Sequence, residues 1–174
     1  MALFRDISQF NRIQDYLPIF NSVLIADIII IILLYFTNII NVESLKKYYL
    51  DFGLSAVILD VFIIVIGFII TRYLYDKIFS EFSIWKFLIL FLVIQIAHDI
   101  LFYFLFSAIP PGTSRLMDSF QKYAKEAGIG AIIGDSSMIV IATLVASYLA
   151  GWDLNSNLIL LIFLIYLITN LFNT

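Results

Sequence analysis

The sequence predicts an all-α integral membrane bundle of about five transmembrane helices plus an amphipathic surface helix. Three observations lead there. Of the 174 residues, 63% are hydrophobic and 13% are charged, against about half and about a quarter in ordinary globular domains. Mean hydropathy is +1.04, more apolar surface than a soluble fold of this size hides from water. The apolar residues are gathered into runs long enough to cross a bilayer core, which takes roughly 20 residues per helix.

Residues 1–17 form an interfacial segment. Leu3, Phe4, Ile7, Phe10, Ile13 and Leu17 recur at helical spacing, with Arg5, Asp6, Gln9, Arg12 and Asp15 largely between them. The pattern predicts either an amphipathic helix ending near Pro18 or the wet first turns of the first span. No signal-peptide pattern of basic segment, apolar core and small-residue cleavage site opens the chain, so insertion is expected to rest on the spans.

The first span is expected over residues 19–40, with Asp27 near its middle. A polar connection follows over residues 41–53, where Tyr48 and Tyr49 suit the headgroup level. The second span covers residues 54–74 and carries Asp60; Arg72, Tyr73, Tyr75, Asp76 and Lys77 mark its exit. The third covers residues 84–109, with Trp85 as an interfacial anchor and Pro110, Pro111 and Gly112 as its stop. It holds Gln95, His98 and Asp99, and His98 is the only histidine in the chain.

Residues 113–128 read as the surface helix, capped by Thr113 or Ser114 and ended by Gly128. Leu116, Met117, Phe120, Tyr123, Ala124 and Ala127 make its apolar face. Leu116, Phe120 and Tyr123 are the candidate contacts to a protein partner, the plainer expectation being a connecting helix packed on the span ends. The fourth span, residues 129–150, has a small-residue side of Gly130, Gly134, Ala142, Ala146 and Ala150, suited to close helix approach. Asp135, Ser136 and Ser137 lie inside it. The fifth, residues 158–172, is short and uncharged. Nothing divides the chain, and residues 1–174 are read as one membrane domain.

The candidate site is an intramembrane polar cluster of Asp27, Asp60, Gln95, His98, Asp99, Asp135, Ser136 and Ser137. Each acid sits where an ionised carboxylate costs roughly 2.5–3.5 kcal/mol on insertion scales, so none is expected to face lipid. At a rise of about 1.5 Å per residue, Asp60 and Asp135 lie about 9 Å below one face and Asp99 about 15 Å, with Asp27 deeper at about 20 Å. Three readings follow. The cluster is a structural polar core that keeps the bundle in register, a proton or cation pathway, or a catalytic or metal site. His98 is expected to pair with Asp60 or Asp135 of another span.

Several chemistries lack their parts. The chain has no cysteine, which removes thiolate catalysis and disulfides. A zinc site would have one histidine and no thiolate. The GxGD motif of intramembrane aspartyl proteases fails at Ile132, no GxSxG elbow exists, and no potassium-filter sequence is present. No catalytic residue, metal or cofactor is therefore expected. The net charge of −3, with no basic stripe, argues against nucleic acid as a partner. Lysine and arginine fall evenly on the two sides, so charge imposes no orientation.

The run HDILFYFLFSAIPPGTSRLMDSFQKYAKEAGIGAIIGDSSM, residues 98–138, resembles uncharacterised small multi-span membrane proteins of large double-stranded DNA viruses. So do the small size, the cysteine-free spans and the pattern of isoleucine, asparagine and lysine usage. The resemblance implies a viral protein of the virion inner membrane beneath a capsid, or of the host-cell membrane, and transfers no active site. The expected function is that of a non-enzymatic, multi-pass structural or scaffolding protein. The alternative is a proton- or cation-conducting protein using the Asp/His layer. The partners expected are the lipid bilayer, a protein meeting residues 113–128, and a second copy in a homo-oligomer.

Overall fold

The computed structural model describes residues 4–37 and 39–172. Five helices in it are long and apolar enough to cross a membrane. They are α1 (Tyr16–Phe36), α3 (Leu54–Ile78), α4 (Ile84–Ala108), α6 (Ile129–Leu149) and α7 (Leu154–Leu171). Two shorter helices, α2 (Glu43–Phe52) and α5 (Arg115–Ala127), lie at one end of the bundle. That end is side B here; the opposite end, with the N-terminal segment and the α3–α4 and α6–α7 turns, is side A.

α1 is the central post and packs against α3, α6 and α7. α4 leans on α3 and α6. The α1–α6 contact is the most extensive of any helix pair, and both helices bury small residues completely, Ser22 and Ala26 on one, Ala142 and Ala146 on the other. Small residues let helix backbones approach in the absence of a hydrophobic drive between membrane helices. Gly130 of the expected small-residue side is not used this way: a side chain there would meet open space. The outer faces of α4 and α7 expose Ile89, Val93, Phe104, Ile162 and Phe163, the surface that acyl chains cover.

Residues 4–12 are not helical, in contrast to the amphipathic helix their spacing suggests; Leu3 lies outside the described residues. The segment spends its polar groups elsewhere. Asp6 accepts from the Ser8 backbone N–H and hydroxyl, a side-chain competition that draws Ser and Asp segments out of helices. Arg5 N–H donates to Ser147 O, and Ser147 Oγ returns the bond to Arg5 O. Ile7 is fully buried. A 3-10 turn, Ile13–Asp15, leads into α1. Pro18 therefore sits in the first turn of the span, where its missing N–H costs nothing, and does not end an earlier helix.

α2 stands where the sequence reading has a polar connection with no helix assigned. Leu45, Tyr48, Tyr49 and Phe52 fall at i, i+3, i+4 and i+7, one helical face, and Gly53 closes it at φ 51°, a conformation open to glycine. α5 ends the same way at Gly128, φ 53°. Gln121 Nε2 ties α5 to the frayed end of α4, donating to Phe106 O and Ile109 O at 2.7 and 2.8 Å.

The α3–α4 crossing is close at Gly67. A Cβ added at Gly67 would stand 2.6 Å from the ring of Phe91, which is fully buried against Phe68 and Phe87. Gly67→Ala is expected to lower the stability of the detergent-solubilised protein by about 1–3 kcal/mol, the usual cost of overpacking. Gly130→Ala, in open space, should leave it unchanged or raise it slightly. Thermal unfolding followed by circular dichroism checks the pair.

Candidate functional site

The acids are met by tyrosines from outside the spans. α2 lays its apolar face on the side-B end of α3, which turns the Tyr48 and Tyr49 hydroxyls down into the bundle. Tyr49 Oη lies 2.9 Å from Asp27 Oδ1 on α1 and 2.9 Å from Asp60 Oδ2 on α3. Tyr48 Oη donates towards Asp60 Oδ1 at 3.1 Å, with Ala56 O at 3.3 Å. Burial comes first, then the carboxylates of Asp27 and Asp60, in pushing the Tyr49 phenol above its ordinary range; burial and then Asp60 do the same to Tyr48. Both phenols therefore remain protonated.

Asp27 thus belongs to the same layer as Asp60, not beneath it. α1 ends at Phe36, so Asp27 lies nine positions, about 14 Å, from the side-B end of its helix. Asp27 is fully buried, and its Oδ2 has no partner among the described residues.

The other half of the layer is looser. Gln95 Nε2 donates to Asp99 Oδ1 at 2.7 Å, and His98 Nδ1 lies 3.2 Å from the same oxygen. His98 consequently pairs within α4, not with the acid of another span as the sequence reading has it. Successive helix residues point about 100° apart, but the short Asp99 side chain turns its carboxyl back to the imidazole, and the ring of Phe102 covers the histidine at 4.1 Å. Asp99 Oδ2 is buried without a partner among the described residues. Asp135 is half-buried on α6, within electrostatic range of Asp99, Asp60 and His98. Ser136 is half-buried beside it, whereas exposed Ser137 donates to Ile133 O of its own helix.

α5 supplies the lid of this half. Phe120 stacks on Phe106 and packs on Tyr48, with ring centroids 5.1 and 5.3 Å apart. Leu116 packs against the core. The Tyr123 hydroxyl stands 3.9 Å from where a side chain at Gly134 would begin. Burial, then Asp135, Asp60 and Asp99, push the Tyr123 phenol above its ordinary range. Leu116, Phe120 and Tyr123 are thereby engaged on the chain's own bundle. Glu126 fastens the two surface helices together: its carboxylate accepts from Glu43 N–H and Ser44 N–H at 2.8 and 2.9 Å, and these bonds hold its carboxyl below the usual range.

A second buried polar group sits at side A, around Arg72, which the sequence reading has as a marker of the exit of the second span. Arg72 is fully buried. Its Nη2 donates to Gln9 O, to Arg12 O at 3.0 Å and to Asp15 Oδ2 at 3.2 Å, and the guanidinium lies 4.4 Å from the Tyr16 ring centroid. Arg12 Nε completes the pair on Asp15 at 2.9 Å. Asn21 and Asn157 form a smaller polar contact between α1 and α7, Asn21 Nδ2 donating to Asn157 O at 2.8 Å.

No family model, curated protein or solved structure matches this chain. Its chemistry therefore rests on the geometry alone. Among the described residues no three of His, Asp and Glu converge as a metal site. The layer is a carboxyl–phenol network, capable of holding protons and of anchoring helices.

Arg72→Met should leave buried Asp15 with Arg12 alone as its cation among the described residues and cost at most about 3–5 kcal/mol, the usual penalty for breaking one side of a buried pair, with membrane values smaller. Adding Asp15→Asn should recover part of that loss. A thermal-stability double-mutant cycle measures it, and strictly additive losses would contradict the pairing.

Proposed function

We propose that the protein is a non-enzymatic scaffold of a membrane, with the side-B face of α2 and α5 as the platform that meets a protein partner. One observation carries this reading. The two amphipathic helices are bound to each other by Glu126 and to the spans by Tyr48, Tyr49 and Gln121, so their polar faces are held at a fixed height and angle. Between those faces lies a cleft of about 150 Å³ bordered by Lys47, Asp51, Arg115, Asp118 and Lys122. A fixed surface of mixed charge suits specific polar recognition better than nonspecific adsorption, because like-charge contacts exclude wrong partners. The sequence resemblance makes a viral membrane, under a capsid or in the infected cell, the setting of this proposal.

A specific observation favours a second reading, conduction of protons or cations. Asp99, His98, Asp135 and Tyr123 come together from three helices, and Asp99 Oδ2 has no bonding partner among the described residues. Relays in membrane proteins use such groups.

Liposome flux separates the two. The scaffold reading expects vesicles containing the protein to hold a proton or potassium gradient as tightly as empty ones, and Asp99→Asn and Asp135→Asn to change nothing. A leak abolished by either substitution would overturn it in favour of conduction.

A further inference from the structure

The contacts at Tyr49 need more hydrogens than a phenol has. Its oxygen is 2.9 Å from a carboxyl oxygen on each side, and a phenol donates one hydrogen. If both carboxyls were ionised, one of these contacts would set two electron-rich oxygens together with no hydrogen between them, in a medium where charge is poorly solvated. Tyr48 cannot supply the missing hydrogen, because its own goes to Asp60 Oδ1 or Ala56 O. No lysine, arginine or histidine forms an ion pair with either acid among the described residues. The remaining source is a carboxyl group.

We propose that Asp27 and Asp60 hold one exchangeable proton between them through Tyr49, making an intramembrane proton-binding site. In one state Asp27 Oδ1–H donates to Tyr49 Oη, and Tyr49 donates to Asp60 Oδ2, which is ionised. Passing a hydrogen along both contacts protonates Asp60 and ionises Asp27; the phenol is neutral before and after, and no heavy atom moves. The first state is the resting one. Asp27 Oδ2 is buried without a partner among the described residues, and an unpartnered oxygen costs less on a neutral acid than on a carboxylate. Asp60 is the better seat for the charge, since Tyr48 and Tyr49 both reach it.

The groups facing the pair are few. α2 contributes Tyr48 and Tyr49; α5 contributes Tyr123 and α6 Asp135, both within electrostatic range of Asp60. Phe172, just past α7, sets its ring 6.4 Å from that of Tyr49. None of these is a cation that would stabilise two ionised acids together. The site is independent of the scaffold reading, which fails or stands on flux and partner contacts.

Infrared spectroscopy of the full chain in nanodiscs tests it. With aspartate carbon-13 labelling, wild-type protein at about pH 7, far above the ordinary aspartate range near 3.9, should show a protonated-carboxyl carbonyl band that shifts in heavy water. Asp27→Asn and Asp60→Asn should each abolish the same component, since the remaining acid can then ionise on Tyr49's single hydrogen. Tyr49→Phe should keep a protonated acid but displace its frequency. Absence of the band in the wild type overturns the proposal without any variant. So does a component lost in only one Asn variant, which marks a lone protonated acid, or one that Tyr49→Phe leaves in place.

Discussion

A bilayer does not solvate a carboxylate, and the contact that answers this is the Tyr49 hydroxyl set between Asp27 and Asp60. An aspartate at mid-helix costs roughly 2.5–3.5 kcal/mol on insertion scales. Hydrogen bonds between membrane helices return only about 0.6 kcal/mol on average. The phenol therefore matters less as an attraction than as a means of keeping both acids away from lipid. Its position fixes much else. α2 must lie flat on the end of the bundle for Tyr49 to reach both spans, and α5 then packs beside it through Phe120 and Glu126.

The two ends of the bundle meet the same difficulty by different means. At side B, acids outnumber bases within the spans, and neutral donors fill the gap: Tyr48, Tyr49 and Gln95. At side A a full charge pair is used, and the N-terminal segment folds over Arg72 so that two backbone carbonyls and Asp15 accept from its Nη2. A helix in residues 4–12 would turn those carbonyls inward to its own ladder, so the irregular path of this segment and the burial of Arg72 are one feature. Within side B, the α1–α3 half is closed by phenols, whereas the α4–α6 half leaves Asp99 Oδ2 unpartnered among the described residues and Asp135 half-buried.

Hydropathy made the five spans and α5 legible, because long apolar runs and a strong two-faced pattern survive errors of several residues. The acids were legible too, as outliers in apolar surroundings. α2 was not, although its stripe was present: in ten residues, Tyr48 and Tyr49 read equally well as headgroup anchors, and only tertiary packing turns them inward. The depth of Asp27 was misjudged because the end of α1 was placed four residues late, about 6 Å. The partner of His98 could not be read from spacing, since adjacent residues meet only when a short side chain bends back. Which oxygens lack a hydrogen is invisible in sequence and follows only from distances.

Hydrogen exchange on the protein in nanodiscs tests most directly whether α2 is held by its tyrosines. With Tyr49→Phe, the amides of α2 should lose protection by an order of magnitude or more while those of α1, α3 and α6 keep theirs, since local opening reports the stability of the element that opens. Unchanged protection across α2 would show that the helix is held by something other than the acids beneath it, and would contradict the central role given to that contact.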